Sequence, residues 1–470
     1  MCFERRPCVH GSREAHSLTR GVIPYPHQDW DPSRIYRQVV ILISFSDEDF
    51  SMDDPHAYYH DLLNVSGPKD RGGVGCVADY FRDQSSGIFN LQFDVIGPVR
   101  VSESAQGSGS NYGEKAIKEA LKKAVDSLQV DFTPYDWDGD GEVEQVVCIT
   151  AGYCANGGPS QYKRYVWPNT GSMSRVNLTG GKYATYYSVS AEKWYNEIGC
   201  GIGTICHEYS HCLGLPDLYP TNSVVFSVVD EWDLMDGGNY TSWGWCPPNY
   251  SAFEKYLLGW LSFEDLTEPC TVSGLMPVAE GGVAYRMVEE GDHIYVLENR
   301  QRSGWDQYLP GQGLLIADID YSQSKWEYNN VNTSRDHFCY QFEYADGMDY
   351  VAWDNYIKNN GLTEYVDDAD RLWRHHLSTT PYPLVTDTIE LHECTSLPMP
   401  LTNIQLSADG SISFDVVSTG IPHLLTPPSS LLPPPSSIYD MQGHRYSELP
   451  SRPGIYIIRY ENGNTIKILL

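Results

Sequence analysis

No run of about 18 apolar residues occurs anywhere in the chain, which excludes a transmembrane helix. Met1 to Arg20 are polar and hold no apolar stretch of the kind that marks a secretory leader. The expectation is either a removed or misassigned start, or a protein that stays inside the cell. No Cys-x-x-Cys pair exists among the 12 cysteines, which argues against a structural zinc–thiolate site. Their density is well below that of a disulfide-built scaffold, so most read as buried small side chains, with one or two pairs open to bridging. Basic charge is scarce: 32 Lys and Arg stand against 62 Asp and Glu, for a net charge of −30. A polyanion would be repelled, so nucleic acid is excluded as a partner. An acidic surface suits a soluble protein outside the cell, and clustered carboxylates suit calcium. No internal repeat is visible.

What is present is enough chain for two or three domains, at 470 residues, and a supply of 34 Tyr, 41 Gly and 29 Pro that points to strands, turns and long loops. Arg37 to Phe45 is a short apolar, β-branched run that reads as a buried strand. Glu114 to Leu128 places Ile117, Ala120, Leu121, Ala124, Val125 and Leu128 on one helical face. Gln145 to Thr150 reads as a second strand, and strand, helix, strand in that order predicts an α/β domain with a mixed sheet. Asn196 to Leu213 reads as a helix packed through Ile198, Ile202, Ile205 and Tyr209, stopped by Gly214 and Pro216. From about residue 262 short alternating runs take over, as in Ile294 to Glu298, Leu314 to Asp320 and Ser411 to Val416. The expected organisation is an N-terminal segment over 1–35, with a catalytic α/β domain over 36–261 and a β-rich domain over 262–418. A Pro/Ser-rich linker over 419–437 and a small β module over 438–470 follow.

The chemistry concentrates in His207-Glu208-Tyr209-Ser210-His211. Two histidines four apart on a helix lie on one side, so both imidazoles reach one ion. Glu208 is placed to hold a water beside that ion rather than the ion itself. Zinc lowers the pKa of such a water from 15.7 to roughly 7, and a carboxylate can take its proton during attack on a peptide carbonyl. A catalytic zinc needs a third protein ligand and an open position. Asp217, six residues after His211 and beyond a chain reversal at Gly214, is the best candidate. An Asp after Pro216 is also a natural turn residue, and Glu231 or Asp233 remain alternative third ligands. A second motif, Asp136-x-Asp138-x-Asp140-Gly141 with Glu144 at position 9, has the spacing of a calcium loop. Position 12 is Val147 and a strand follows, so calcium would sit there in a setting other than an EF-hand. Asp367, Asp368, Asp370, His375 and His376 read as a solvated acidic loop and surface histidines, and Trp305, Trp326 and Trp373 as packing residues.

Residues 203 to 219, GTICHEYSHCLGLPDLY, resemble the active-site helix of the immune-inhibitor-A-like metallopeptidases, relatives of the metzincins. The likeness extends to VADYFRDQSSGIFNLQFDVIGPV (77–99), YDWDGDGEVEQVVCITAGY (135–153), EWDLMDGGNY (231–240), AFEKYLLGW (252–260), LENRQRSGWDQYLPGQGLLI (297–316) and EYADG (343–347). It thus covers roughly residues 36 to 418. The resemblance implies zinc held by His207, His211 and Asp217, with Glu208 as general base. It also implies a methionine turn at Met235 and, more weakly, oxyanion stabilisation by Tyr240. In that family a His-Val-Asp often stands where this chain has Asp318-Ile319-Asp320, a departure that leaves the function of position 318 open. The tail, IYDMQGHRYSELPSRPGIYIIRYENGNTIKILL, resembles C-terminal sorting modules of proteins exported by Bacteroidetes. That implies export and attachment at the cell surface or release from it.

The fold class expected is a metzincin-like α/β catalytic domain with a mixed sheet and an active-site helix, followed by a β-rich domain and a C-terminal β module. The function expected is a secreted or cell-surface zinc endopeptidase acting on polypeptide substrates, with Zn2+ and Ca2+ as its ions. The competing reading is a catalytically silent, calcium-binding surface adhesion protein on a protease scaffold. Glu208 argues against it, since a binding module has no use for a proton acceptor there.

Overall fold

The computed structural model describes residues 30–107, 112–156, 159–222, 227–334, 337–347, 349, 355, 358, 359, 361, 376–386, 390–418, 435–440, 445–446, 455–460 and 465–469. The N-terminal segment up to residue 29, Asp367, Asp368, Asp370, Trp373, His375 and residues 419–434 of the linker lie outside these.

In chain order the first elements are β1 (Ile35–Ser44), α1 (Pro55–Asn64), α2 (Val77–Gln84), β2 (Asn90–Arg100), α3 (Tyr112–Asp126), β3 (Val146–Tyr153), β4 (Asn169–Asn177) and β5 (Tyr183–Lys193). Then come α4 (Gly203–Cys212) and α5 (Ala252–Leu257). The five strands form one sheet in the order β2-β1-β3-β5-β4, parallel except for β4, which runs antiparallel to β5 along the sheet's edge. A parallel strand at the centre of such a sheet is covered on both faces, which is why β1 is apolar from Val39 to Ile43. Its residues alternate between two cores: Val40 and Leu42 join the core containing α1, α2 and α4, while Val39, Ile41 and Ile43 pack with α3.

The helix expected over 114–128 is α3, and Ile117, Ala120, Leu121 and Ala124 are buried as its period requires. Leu128 is not on that face. The helix stops at Asp126, Gln129 takes φ 55°, and Leu128 is left 51 % exposed in the turn. The helix expected over 196–213 begins only at Gly203. Residues before it fold back along the end of β5, through Trp194 N to Ile198 O at 2.7 Å and Cys200 N to Glu192 O at 3.0 Å.

The later strands are β6 (Glu264–Asp265), β7 (Cys270–Leu275), β8 (Tyr285–Glu290), β9 (His293–Arg300) and β10 (Gly313–Asp320), followed by helix α6 (Gln323–Glu327) and β11 (Tyr340–Phe342). Then follow β12 (Leu384–Val385), β13 (Glu390–Leu391), β14 (Leu401–Leu406) and β15 (Ile412–Val416). One sheet has the order β11-β10-β9-β8-β6, a second β14-β15-β7, and β12 pairs with β13. Alternation along β9 and β10 again divides their residues between two cores. Ile294, Val296, Leu315, Ala317 and Ile319 join the core that holds α4, whereas Tyr295, Leu297, Leu314 and Ile316 pack towards the β14-β15-β7 sheet. The boundary read at 261/262 therefore runs through shared core, and residues up to Val417 form one compact unit. Ser418–Leu470 form another, an antiparallel sheet β17-β16-β18-β19 made of β16 (Pro435–Asp440), β17 (Arg445–Tyr446), β18 (Ile455–Tyr460) and β19 (Thr465–Leu469). Its first strand opens inside the segment read as linker. Among the described residues no helix is long and apolar enough to cross a membrane. Among the described residues no disulfide forms, and eight of the ten described cysteines are buried.

Within the larger unit, Arg300 is wholly enclosed and grips Asp306 through Nε and Nη2, both at 2.8 Å. Asp306 Oδ1 also accepts from Asn249 N at 2.8 Å, so this pair ties β9 to the segment leading into α5. Removing one partner of a buried ion pair leaves the other charge stranded. Arg300→Met is expected to destabilise the protein by about 3–5 kcal/mol, read as a fall in the chemical-denaturation midpoint.

Candidate active site

Helix α4 is buried from Gly203 to His211. Its entry needs glycine, because a Cβ on Gly203 would lie 2.1 Å from the Asn239 carbonyl oxygen. One turn separates His207 from His211, and their rings stand 4.8 Å apart at 85°. His207 Nδ1 lies 2.8 Å from the Leu234 carbonyl, and His211 Nδ1 lies 2.8 Å from the Leu215 carbonyl. A carbonyl only accepts, so each Nδ1 carries the proton and each Nε2 presents a lone pair. Both Nε2 atoms are 3.3 Å from Asp217 Oδ1.

Asp217 is 0 % exposed. Gly214, at φ 105°, lets the chain reverse after the helix, and Leu218 N donates to Met235 O at 2.9 Å to fix the return. Asn329 then clamps the aspartate twice: Asp217 N donates to its Oδ1 and its Nδ2 donates to Asp217 Oδ2, each at 2.6 Å. The donor set suits zinc. Four ligands about 2.0–2.1 Å from a tetrahedral ion stand about 3.3 Å from one another, and two imidazoles with one carboxylate are a known catalytic set. Only one carboxylate oxygen is used by Asn329, and the other faces the two histidines.

Glu208 is also fully buried. Thr170 Oγ1, on edge strand β4, lies 2.9 Å from Glu208 Oε2 and 2.6 Å from its main-chain carbonyl. Oε1 has no hydrogen-bond partner, which leaves it open to a group entering the site. Met235 is fully buried, and its N–H donates to Asp233 Oδ1 at 2.8 Å. Asp233 is thereby engaged away from the histidines, and Glu231 lies in the preceding turn; Asp217 is the carboxylate grouped with both imidazoles. Tyr240 follows the methionine turn, half-buried against Trp194, with its hydroxyl accepting from Asn156 Nδ2 at 2.8 Å.

The acidic loop groups Asp136, Asp138 and Glu144, whose ligand atoms lie within 4.8 Å of one another. Asp140 is outside that group and accepts from Glu142 N at 2.7 Å. Lys182 Nζ, 2.7 Å from Asp136 Oδ2, already supplies one positive charge there. Asp318 receives His293 Nε2 at 2.7 Å and Gln341 Nε2 at 3.1 Å on the surface of β10. His376, read as a surface residue, is buried and paired with Asp346 at 2.8 Å, because Tyr344 packs over its ring. Trp305 and Trp326 are buried packing residues.

Sequence reasoning missed Thr170 and Asn329. Thr170 is 38 residues from Glu208 and Asn329 is 112 from Asp217, so neither leaves a local pattern. The one hint is Asn329-Asn330 after a short helix, since Asn tolerates the left-handed backbone that Asn329 adopts at φ 55°.

Fold and site together are those of a mixed α/β peptidase catalytic domain. Residues 22–260 match the family described as immune inhibitor A peptidase M6, catalytic domain, and the chain belongs to that family. It is similar to immune inhibitor A of Bacillus thuringiensis subsp. alesti, 27 % identical over 257 residues that cover 45 % of this chain and 36 % of the relative. It is also similar to the pre-pro-metalloprotease PrtV of Vibrio cholerae serotype O1 (strain M66-2), 22 % identical over 305 residues, covering 55 % of this chain and 32 % of that protein. The chain thus spans about a third of the length of the curated relatives it matches.

Behind the methionine turn sits a second titrating pair. Burial pushes Glu254 well up, with the Asp233 charge raising it further, and burial pushes Asp233 up to about 6. Glu254 Oε2 caps α5 by accepting from Ser251 N at 2.8 Å. The sign follows from linkage: Asp233 binds its proton more tightly folded than unfolded, so stability is full below its ordinary value of 3.8 and falls as pH rises towards about 6. Asn at this position keeps the acceptor for Met235 N and supplies a donor to Glu254. Asp233→Asn is therefore expected to be more stable than the parent at pH 7.5 by about 1–3 kcal/mol, with the gain shrinking below pH 4. Thermal melts across that range check it.

Proposed function

We propose that this protein is a secreted or cell-surface zinc endopeptidase in which His207, His211 and Asp217 hold the ion and Glu208 is the general base. The observation that carries the reading is a fully buried carboxylate oxygen 3.3 Å from two imidazole Nε2 lone pairs, with the Glu208 carboxylate on the same helix. Zinc held by these residues would supply Lewis acidity, polarising a peptide carbonyl and making a nearby water easier to deprotonate. Glu208 Oε1, with Thr170 on its other oxygen, would accept a proton from the attacking water and deliver it to the leaving amine nitrogen. The open edge of β4 offers main-chain groups to an extended polypeptide lying beside Glu208. In this reading Met235 is the floor of the site, as in metzincins, and Tyr240 is the oxyanion donor.

Calcium belongs to the same proposal, held by Asp136, Asp138 and Glu144 with Asp140 shaping the loop, in a structural role. So does export: the C-terminal unit reads as a Bacteroidetes-type sorting module, supported by its self-contained four-stranded sheet.

Glu208→Ala is expected to keep its zinc, by elemental analysis, while casein cleavage falls about 10²–10⁴-fold. Undiminished cleavage would sink the assignment of the base, and a parent that holds zinc but fails to cut would favour the silent, adhesive reading. Asn329→Ala removes both contacts to Asp217. It is expected to weaken zinc binding about 10–100-fold in competition with a chromophoric chelator, and unchanged affinity would remove Asn329 from the site.

A further inference from the structure

The segment that carries Asn329 leaves the sheet at Asp320, the end of β10, and returns to it at Cys339, just before β11. Asp320 N donates to Cys339 O at 3.0 Å, closing the mouth of the loop. Inside it, Asn332 is fully buried; its Nδ2 donates to Leu218 O and to Tyr340 O, each at 2.8 Å, and its Oδ1 accepts from Cys339 N at 3.0 Å. The loop is thus tied to the residue next to Asp217 as well as to Asp217 itself.

At that mouth three metal-ligating side chains converge. His337 and Cys339 stand two apart in the segment leading into β11. Asp320 comes from the neighbouring strand, with Oδ2 2.6 Å from His337 Nε2. One ligand atom from each of the three lies within 4.8 Å of the others. The sulfur is enclosed, whereas Asp320 and His337 are about half exposed. Lys325 Nζ, on α6, donates to Cys339 Sγ at 2.9 Å, so a positive charge already stands against the sulfur.

We propose that Asp320, His337 and Cys339 form a second metal site, selective for a borderline divalent ion of the zinc class, that clips the loop bearing Asn329 and Asn332. A thiolate, an imidazole and a carboxylate are the ligand types of zinc and cobalt(II), and calcium or magnesium would not choose the sulfur. Binding displaces Lys325 and releases the Cys339 proton, so the site strengthens as pH rises. The effect on Asp217 rests on the peptidase reading. Ion binding at the clip does not.

Cobalt(II) titration of the full chain separates the two sites, because a thiolate ligand gives cobalt a near-ultraviolet charge-transfer band and the three ligands proposed for the active site include no thiol. The band is expected in the parent and in His211→Ala, and absent from Cys339→Ser. His337→Ala, at an exposed position that folding tolerates, is expected to weaken the cobalt affinity read from this band by more than about tenfold. Lys325→Ala is expected to tighten it severalfold. No band in the parent, or a full band in Cys339→Ser, overturns the clip and leaves the peptidase reading untouched; a band without casein cleavage does the reverse.

Discussion

A carboxylate closed off from solvent, facing the lone pairs of two imidazoles, is the constraint on which the rest of this structure depends. Asp217 is fully buried, and each histidine uses its Nδ1 proton on a main-chain carbonyl. Burying a carboxylate is costly unless it is paired or bound to a metal, and here it faces two lone pairs. A cation between them would be held by both lone pairs and the carboxylate together. The surrounding chain serves the geometry. Helix α4 sets the two rings one turn apart, Gly214 reverses the chain, and the Leu218–Met235 bond and Asn329 hold the aspartate where both nitrogens reach it.

The layers behind the site are polar to an unusual degree. Asp233, Glu254, Glu298, Arg300 and Asp306 are all buried. A hydrocarbon core of the same volume would be at least as stable. What the ionic groups provide is directional: Asp233 orients the Met235 turn, Glu254 and Glu298 accept from the first N–H groups around α5, and Arg300 joins these to β9. Backbone packs directly on backbone where Gly203 meets Asn239, so the turn under the histidines has little freedom to shift.

The parts of this arrangement visible in the sequence are those governed by local periodicity. The β1 run, the amphipathic face of α3, the His207–His211 spacing and the glycine stop at 214 each follow from residues within a turn or two of one another. Contacts across the sheets were not visible. Thr170 and Asn329 reach the site through edge strand β4 and the loop after β10, and their neighbours in sequence carry no repeating pattern. The start of α4 was misread for a related reason: Ile198 and Ile202 fit a helical period, yet hydrogen bonding along the end of β5 and close approach to Gly244 prevail before Gly203. Likewise the alternation in β9 and β10 identified strands but not that both faces would be covered, which is what fuses residues 262–417 to the core around α4.

The central claim is that one ion is held by His207, His211 and Asp217. Anomalous diffraction at the zinc edge, on crystals of protein purified without chelators, tests it directly. The account predicts a peak about 2.0–2.2 Å from His207 Nε2, His211 Nε2 and an Asp217 carboxylate oxygen. A peak at the histidines completed by Glu231 or Asp233 instead, or no peak between them at all, would contradict it.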